Sequence, residues 1–321
     1  MKAILNRDYI RQNLNKTLQE TNFPSLGILY RGKVRDNYTD TKTNHRYIVA
    51  TDRLSAFDRV ITTIPFKGEL LNQISTFWFD KTKHIAPNHI IEVPDPNIAI
   101  VHQCDTFPIE MVIRAYITGS AWRAYEKGQN FSGVQFPSGL KKNQELPEPV
   151  ITPSTKAEKG LHDESISKEQ ILKRKLVSKD IYSVLEEYTH KLFEFGQSYC
   201  VKNNLILVDS KYEFGITKDN KILVIDEMHT QDSSRFWILD TYTDRFATGE
   251  EPDILDKEFF RAWLMERGFM GDGPIPAITE DVRIELVERY IRSYERITNT
   301  TFKPDKNRNI MERIRKNLKL P

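Results

Sequence analysis

The 321-residue chain has few cysteines, no long apolar run and almost no excess charge. Cys104 and Cys200 are far apart and lack CxxC spacing, which argues against a disulfide scaffold and against a thiolate zinc site. Lys and Arg total 47 against 45 Asp and Glu, without a dense basic block, so we expect neither nucleic acid nor a membrane surface as a partner. No apolar run reaches the roughly 18 residues of a membrane span, and the start lacks a signal-peptide core, so we expect a cytoplasmic protein.

The residues that are present indicate a folded α+β protein, with 11% aromatic and 39% hydrophobic residues. Short β-prone runs fill residues 26–112, and a long polar loop is expected at 131–167. Apolar residues at three- and four-residue steps predict helices at about 70–82, 180–203, 256–267 and 280–297. We therefore expect a β-rich N-terminal lobe, 1–113, and a mixed α/β C-terminal lobe, 114–321.

The stretch LILVDSKYEFGITKDNKILVIDE places charged residues inside two apolar runs. Strand alternation puts Asp209, Lys211 and Glu213 on one face. A tight turn at Asp219 and Asn220 predicts a hairpin in which Glu213 lies directly opposite Asp226. Carboxylates so close need a proton, a basic partner or a metal ion. The pattern is consistent with a site for Mg²⁺ and nucleotide phosphates, and equally with Lys211 pairing one carboxylate on a solvated face.

The stretch YRGKVRDNY carries a glycine between two strand-like runs. Gly32 would let the backbone approach a phosphate, while Lys33 and Arg35 would neutralise it. A structural β-hairpin with basic side chains is the alternative.

The stretch EMVIRAYITGSAWRAY passes from a strand into a helix. Arg114 and the hydroxyl of Ser120 at such a turn would make a phosphate cradle. The alternative is that Arg114 forms a structural ion pair and Ser120 caps the helix.

Seven motifs, in order across most of the chain, carry a family resemblance. They are RGKVRD (31–36), SAFD (55–58), IPFKGELLN (64–72), EMVIRAYITGSAWRAY (110–125), TPSTKAEKGLHDESIS (152–167), LVDSKYEFG (207–215) and IDEMHTQDSSRFW (225–237). With them the chain closely resembles the phosphoribosylaminoimidazole-succinocarboxamide synthases, or SAICAR synthetases.

The resemblance implies a ligase that uses ATP and Mg²⁺ to join the carboxylate of carboxyaminoimidazole ribonucleotide (CAIR) to the amine of L-aspartate, through an acyl phosphate. It also implies a two-lobed ATP-binding fold similar to protein kinases and ATP-grasp enzymes, with nucleotide in the first lobe and substrate and metal in the second. A small-molecule kinase and a nucleotide-binding regulatory protein are the alternatives. Residues 131–149 resemble the extended form of the family, which favours a monomer over the dimer of its compact members.

The resemblance also assigns roles to individual residues. Residues at the reacting centre would be Lys33, Asp209 and Lys211. The nucleotide would lie along Gly32, Lys33, Arg35, Glu110 and Val112. The ribonucleotide and its 5′-phosphate would be held by Arg114, Ser120 and Arg235, with Lys156 and Asp163 near the amino-acid and imidazole substrates. The metal would be bound by Glu213 and Asp226.

Overall fold

The computed structural model of the protein describes residues 5–156, 164–255, 257–305 and 309–320. Within these ranges every helix is either too short or too polar to cross a lipid bilayer. The strands are β1 (Ile28–Arg31), β2 (Arg35–Asp40), β3 (His45–Ala50), β4 (Arg53–Ala56), β5 (Arg59–Thr63), β6 (Ile90–Asp95), β7 (Ile98–His102), β8 (Asp105–Tyr116), β9 (Glu145–Ile151), β10 (Ser154–Thr155), β11 (Leu205–Ile216), β12 (Ile222–Ile225) and β13 (Ser234–Ile238). The helices are α1 (Arg7–Asn13), α2 (Lys67–Thr82), α3 (Gly119–Glu126), α4 (Lys168–Lys173), α5 (Lys179–Val201), α6 (Leu239–Thr248), α7 (Glu258–Met265), α8 (Glu280–Thr298) and α9 (Ile310–Asn317).

Two compact units divide the chain. The first comprises Met1–Asp80, His89–Gln103 and Leu255–Pro321, and the second comprises Lys81–Asn88 and Cys104–Ile254. This grouping differs from the division predicted at residue 113, because the C-terminal part of the chain returns to the N-terminal sheet. All ladders between the named strands are antiparallel, so the fold is a mixture of α-helices and antiparallel sheets.

The first unit is built on a five-stranded sheet with the order β1-β2-β3-β7-β6, beside the two-stranded β4-β5 hairpin. Ile310 and Ile314 of α9 are buried in an apolar cluster with Val49 of the sheet. Arg313 of α9 donates two hydrogen bonds of 3.0 Å to the carboxylate of Asp95 at the end of β6. Apolar burial and a buried ion pair therefore attach the last helix to the sheet.

The second unit contains a six-stranded sheet in which β11 lies between β8 and β12, with β13 also pairing with β11. Helix α5 packs against β8 and β11. Its N-cap is Ser178, whose Oγ accepts a hydrogen bond from the N–H of Ile181, and the helix buries Leu185 and Leu192. Since strand side chains alternate, this packing leaves the charged residues of β11 on the opposite face.

The register predicted for the charged hairpin is wrong by one residue. Thr217 N–H donates to Lys221 O at 3.0 Å, so the loop contains three residues, and Asn220 takes the left-handed conformation with φ 61°. Such loops end in a left-handed residue, a conformation that Asn tolerates. As a result Glu213 lies opposite Ile225, and Asp226 follows the end of β12.

The long loop predicted at 131–167 contains two short strands among its described residues, β9 and β10, both paired with β8. Pro147 and Pro149 lie in β9, and their sequence pattern concealed the strand because proline lacks the N–H that a central strand needs. The four predicted helices are confirmed as α2, α5, α7 and α8. Thr279 caps α8 by accepting a hydrogen bond from Val282 N–H.

Candidate active site

Charged side chains of β8 and β11 lie opposite each other on the sheet face that α5 does not cover. Glu110, Val112 and Arg114 share one face of β8, and the register places them opposite the charged positions of β11. The directly opposed pairs are Arg114 with Asp209, Val112 with Lys211 and Glu110 with Glu213.

Lys211 joins the carboxylates at one end of this face. Its Nζ lies 3.0 Å from Glu110 Oε1 and 3.9 Å from Asp226 Oδ2, and it forms a hydrogen bond with Glu213 Oε1. The Nζ of Lys156 contacts the other oxygen of Glu213. Two glutamates opposed in a ladder repel each other, and the ammonium groups offset this repulsion. The structure thus supplies the basic partner that the sequence pattern left as one of three options.

The charge states of this group follow from burial and from the ion pairs. Burial opposes the charge of Lys211, but Glu213, Glu110 and Asp226 outweigh it and raise the pKa of Lys211 well above its usual value. Burial also disfavours the Glu213 carboxylate, yet Lys211 and Lys156 lower its pKa below the usual range. Lys211 is therefore a fixed positive charge at neutral pH and does not accept protons.

The pair Glu213 and Asp226 has oxygen donors suited to a magnesium ion. Both carboxylates face one cation, the ammonium of Lys211, although they are not opposed in the ladder as predicted. Within the described ranges no group of three or more His, Cys, Asp or Glu side chains is arranged to hold a metal. Mg²⁺ commonly takes only one or two carboxylates and completes its octahedron with water and substrate phosphates, so this pair fits such an ion.

Asp209 lies between two arginines at the other end of the face. Its Oδ2 accepts a hydrogen bond of 2.9 Å from Arg114 Nη1 and another from Arg235 Nη1. Arg114 also donates to Thr152 Oγ1 at 2.9 Å and to Ser120 Oγ at 3.4 Å. Burial lowers the pKa of Arg114 to about 10 although Asp209 opposes this effect, so the guanidinium is still charged at neutral pH. The three charged groups carry a net positive charge that suits a phosphate.

Gly119 makes room for Arg235. Its φ of 57° is left-handed, and a Cβ at this position would lie 2.4 Å from Arg235 Nη2. Ser120 lies inside α3, whose N-cap is Thr118, so it contacts Arg114 and does not cap the helix. The sequence pattern predicted a phosphate cradle at this turn, but it gave no indication that Gly119 is needed there to accommodate Arg235.

Gly32, Lys33 and Arg35 lie in the first unit, on the connection between β1 and β2 and the start of β2, whereas the other described candidates lie in the second unit. Gly32 N–H donates to Arg35 O at 2.8 Å and closes the turn. The ammonium of Lys33 forms an ion pair with Asp58. Asp58 belongs to the SAFD motif, whose residues had no individual predicted roles.

Lys156 and Asp163 are the candidates from the predicted loop at 131–167, and Asp163 lies outside the described residues. Lys156 is described and contacts Glu213. Thr152, which holds Arg114, was missed because a threonine in a polar run gives no signal of its distant partner.

Comparisons with known proteins agree on one family. The family model described as SAICAR synthetase matches residues 28–273. The phosphoribosylaminoimidazole-succinocarboxamide synthase of Bacteroides fragilis is 46% identical over 306 residues, which cover 94% of this chain and 97% of that protein. The SAICAR synthase of Saccharomyces cerevisiae in complex with SAICAR has a TM-score of 0.77 and 34% identity, over 89% of this chain and 100% of that chain. A type-2 SAICAR synthetase in complex with ADP has a TM-score of 0.67 and 27% identity, over 86% and 100%. The chain therefore belongs to the SAICAR synthetase family, a family of ligases in purine biosynthesis.

Proposed function

We propose that the protein joins CAIR to L-aspartate and releases SAICAR, ADP and phosphate. Family membership and the similarity to proteins solved with SAICAR and with ADP support this proposal. The structural observation that carries it is the charged face of β11, which has a pair of guanidinium groups at Asp209 and carboxylates around Lys211.

The reaction requires two displacements, because a carboxylate is a poor acyl donor at neutral pH. A carboxylate oxygen of CAIR attacks the γ-phosphorus of ATP, and ADP leaves. The neutral amine of aspartate then attacks the acyl carbon, the phosphate leaves and the amine proton is lost. Both steps depend on charge neutralisation and alignment more than on covalent help from the protein.

Arg114 and Arg235 would bind the 5′-phosphate of the ribonucleotide, with Ser120 beside them. Asp209 holds both guanidinium groups at one oxygen, and this fixes their orientation before the ligand arrives. Thr152 fixes Arg114 from the side. A rigid pair of planar donors recognises a phosphate more specifically than flexible lysines would.

The carboxylate end of the face would serve the nucleotide. Glu213 and Asp226 would hold Mg²⁺, which when bound would neutralise the oxygens of the transferred phosphoryl group. Lys211 supplies a permanent positive charge beside them, which favours the negatively charged transition state of phosphoryl transfer. Lys156 and Asp163 would lie near the amino-acid and imidazole substrates.

The proposal also gives the turn of the first unit a role. Gly32, Lys33 and Arg35 would accommodate the nucleotide phosphates, and the segment from Glu110 to Val112 would lie against the adenine. These roles would follow from the two-lobed ATP-binding fold, similar to protein kinases and ATP-grasp enzymes, that the family motifs imply.

The test is product analysis with CAIR, ¹⁵N-labelled aspartate, ATP and Mg²⁺. We expect one ADP and one phosphate for every ¹⁵N atom incorporated, and no ADP formation when aspartate is present without CAIR. Stoichiometric ADP with a phosphorylated product and no incorporated ¹⁵N would instead identify a kinase. Nucleotide binding without multiple turnover would identify a regulatory protein.

A further inference from the structure

Arg53 at the start of β4 is a buried arginine whose donors are directed at the turn between β1 and β2. Its Nε donates to Lys33 O at 2.9 Å and its Nη2 donates to Gly32 O at 3.0 Å. Nη2 also donates to Asp36 Oδ1 at 2.8 Å, and Nη1 donates to Gln19 O. All three nitrogens of the guanidinium are therefore used, and 8% of the residue is exposed.

The two carbonyl contacts fix the direction of two successive peptide planes. In a planar trans peptide the N–H points opposite to the C=O. Since Gly32 O and Lys33 O both point toward Arg53, the N–H groups of Lys33 and Val34 both point away from it. Among the described residues neither of these N–H groups donates a hydrogen bond. Successive N–H groups that point the same way form a concave donor for anions.

The charge of Arg53 is already neutralised on its own side of the turn. Asp36 is fully buried, and its Oδ2 accepts hydrogen bonds from Thr21 N–H at 2.7 Å and Thr21 Oγ1 at 2.9 Å. Arg53 is consequently a support for the turn and not itself a phosphate ligand. The ammonium of Lys33 pairs with Asp58, but both side chains are about half exposed, so a phosphate would displace this pair at little cost.

We propose that Arg53 is a positioning residue for the nucleotide: by holding Gly32 O and Lys33 O, it orients the N–H groups of Lys33 and Val34 toward a nucleotide phosphate. This inference rests on the proposed function, which places ATP phosphates at the same turn. The fork of a guanidinium is required, because a lysine at this position has one nitrogen and cannot span the two carbonyls and the carboxylate together.

The test compares Arg53→Lys with a matched control, Arg31→Lys. Arg31 contacts the same Asp36 and Glu20, and it donates to Thr21 O but not to a carbonyl of the turn. ADP and adenosine are titrated into each protein. We expect Arg53→Lys to weaken ADP binding about tenfold, as for loss of one hydrogen bond to a charged group, and to leave adenosine binding unchanged. Arg31→Lys should bind both ligands like the wild type. Equal weakening of ADP and adenosine in Arg53→Lys would show a general structural role and overturn the proposal.

A measurement on the wild type decides the matter if Arg53→Lys does not fold. Amide hydrogen exchange of Lys33 and Val34 is followed by NMR with and without ADP, and ADP should slow both. If ADP binds and neither amide is protected, the inference is overturned while the proposed function stands. If the wild type does not bind ADP, the nucleotide site and this inference are both overturned.

Discussion

Replacing Asp209 with asparagine should show separately how much this carboxylate contributes to stability and how it affects phosphate binding. One oxygen of Asp209 accepts hydrogen bonds from both Arg114 and Arg235. The Asp209→Asn variant keeps the shape and one acceptor oxygen, but it removes the negative charge that the two guanidinium groups share. We expect lower stability of the second unit, together with stronger stabilisation by phosphate.

The magnitude follows from burial. Asp209 is 5% exposed and Arg114 is 7% exposed, so solvent cannot replace the lost partner. Removing one member of a buried ion pair costs about 3–5 kcal/mol, and the amide oxygen that the Asp209→Asn variant retains places the expected loss near the lower end, at about 3 kcal/mol. In a unit of 150–250 residues this corresponds to a fall in the unfolding midpoint of roughly 6–12 °C.

Thermal unfolding followed by circular dichroism, with and without inorganic phosphate, measures both effects. Phosphate should raise the midpoint of Asp209→Asn by more than it raises that of the wild type, because the anion replaces the lost negative charge. Asp219→Asn is the control, since Asp219 is an exposed partner of Lys221 on the same hairpin, and its midpoint should stay close to the wild type. A loss below about 1 kcal/mol in Asp209→Asn, or an equal response to phosphate, would refute the reasoning.

Three other substitutions test the remaining parts of the site. Lys211→Met should lower kcat at least about 100-fold, because it removes the cation shared by two opposed glutamates. On acidification below about pH 4.5 the variant should lose less stability than the wild type, because the pKa of Glu213, which Lys211 lowers, returns toward its unfolded value. Gly119→Ala should raise KM for the ribonucleotide by displacing Arg235. Gly128→Ala is the control, because Gly128 has a similar φ of 63° and open space where a Cβ would lie; it should lose about 1–2 kcal/mol of stability to backbone strain without a change in KM. Asp226→Asn should abolish Mg²⁺-dependent turnover with little loss of stability, since Asn tolerates the φ of 68° at this position; near-normal turnover would show that Asp226 does not bind the metal.

The face that carries the charges of β11 was predictable, but the residue opposite Glu213 was not. Alternation depends on one strand alone, so Asp209, Lys211 and Glu213 share a face in any register. Register depends on the loop, and the Asp-Asn pair fits both a two-residue and a three-residue loop. The left-handed Asn220 selects the longer one, and this moves Asp226 out of the ladder.

Long-range pairing limited the rest of the prediction. Glu110 is opposite Glu213 because β8 pairs with β11, two strands that are about a hundred residues apart in the chain. Asp209 meets Arg235 only because β13 pairs with the other edge of β11. The family motifs identified these residues, but composition and periodicity do not state which distant strands will be neighbours.

The charge balance around Glu213 indicates which lysine the proposed metal ion would replace. The carboxylates of Glu110, Glu213 and Asp226 and the ammonium groups of Lys211 and Lys156 sum to a net charge of −1. The two lysines are not equivalent: Lys211 is held by three carboxylates, whereas the side chain of Lys156 is 43% exposed and contacts one oxygen of Glu213. An exposed ammonium regains its hydration when it leaves, so its ion pair contributes little free energy. Lys156 is therefore the partner that a divalent cation would replace, and Lys211 would stay in place to keep Glu110 and Glu213 from repelling each other.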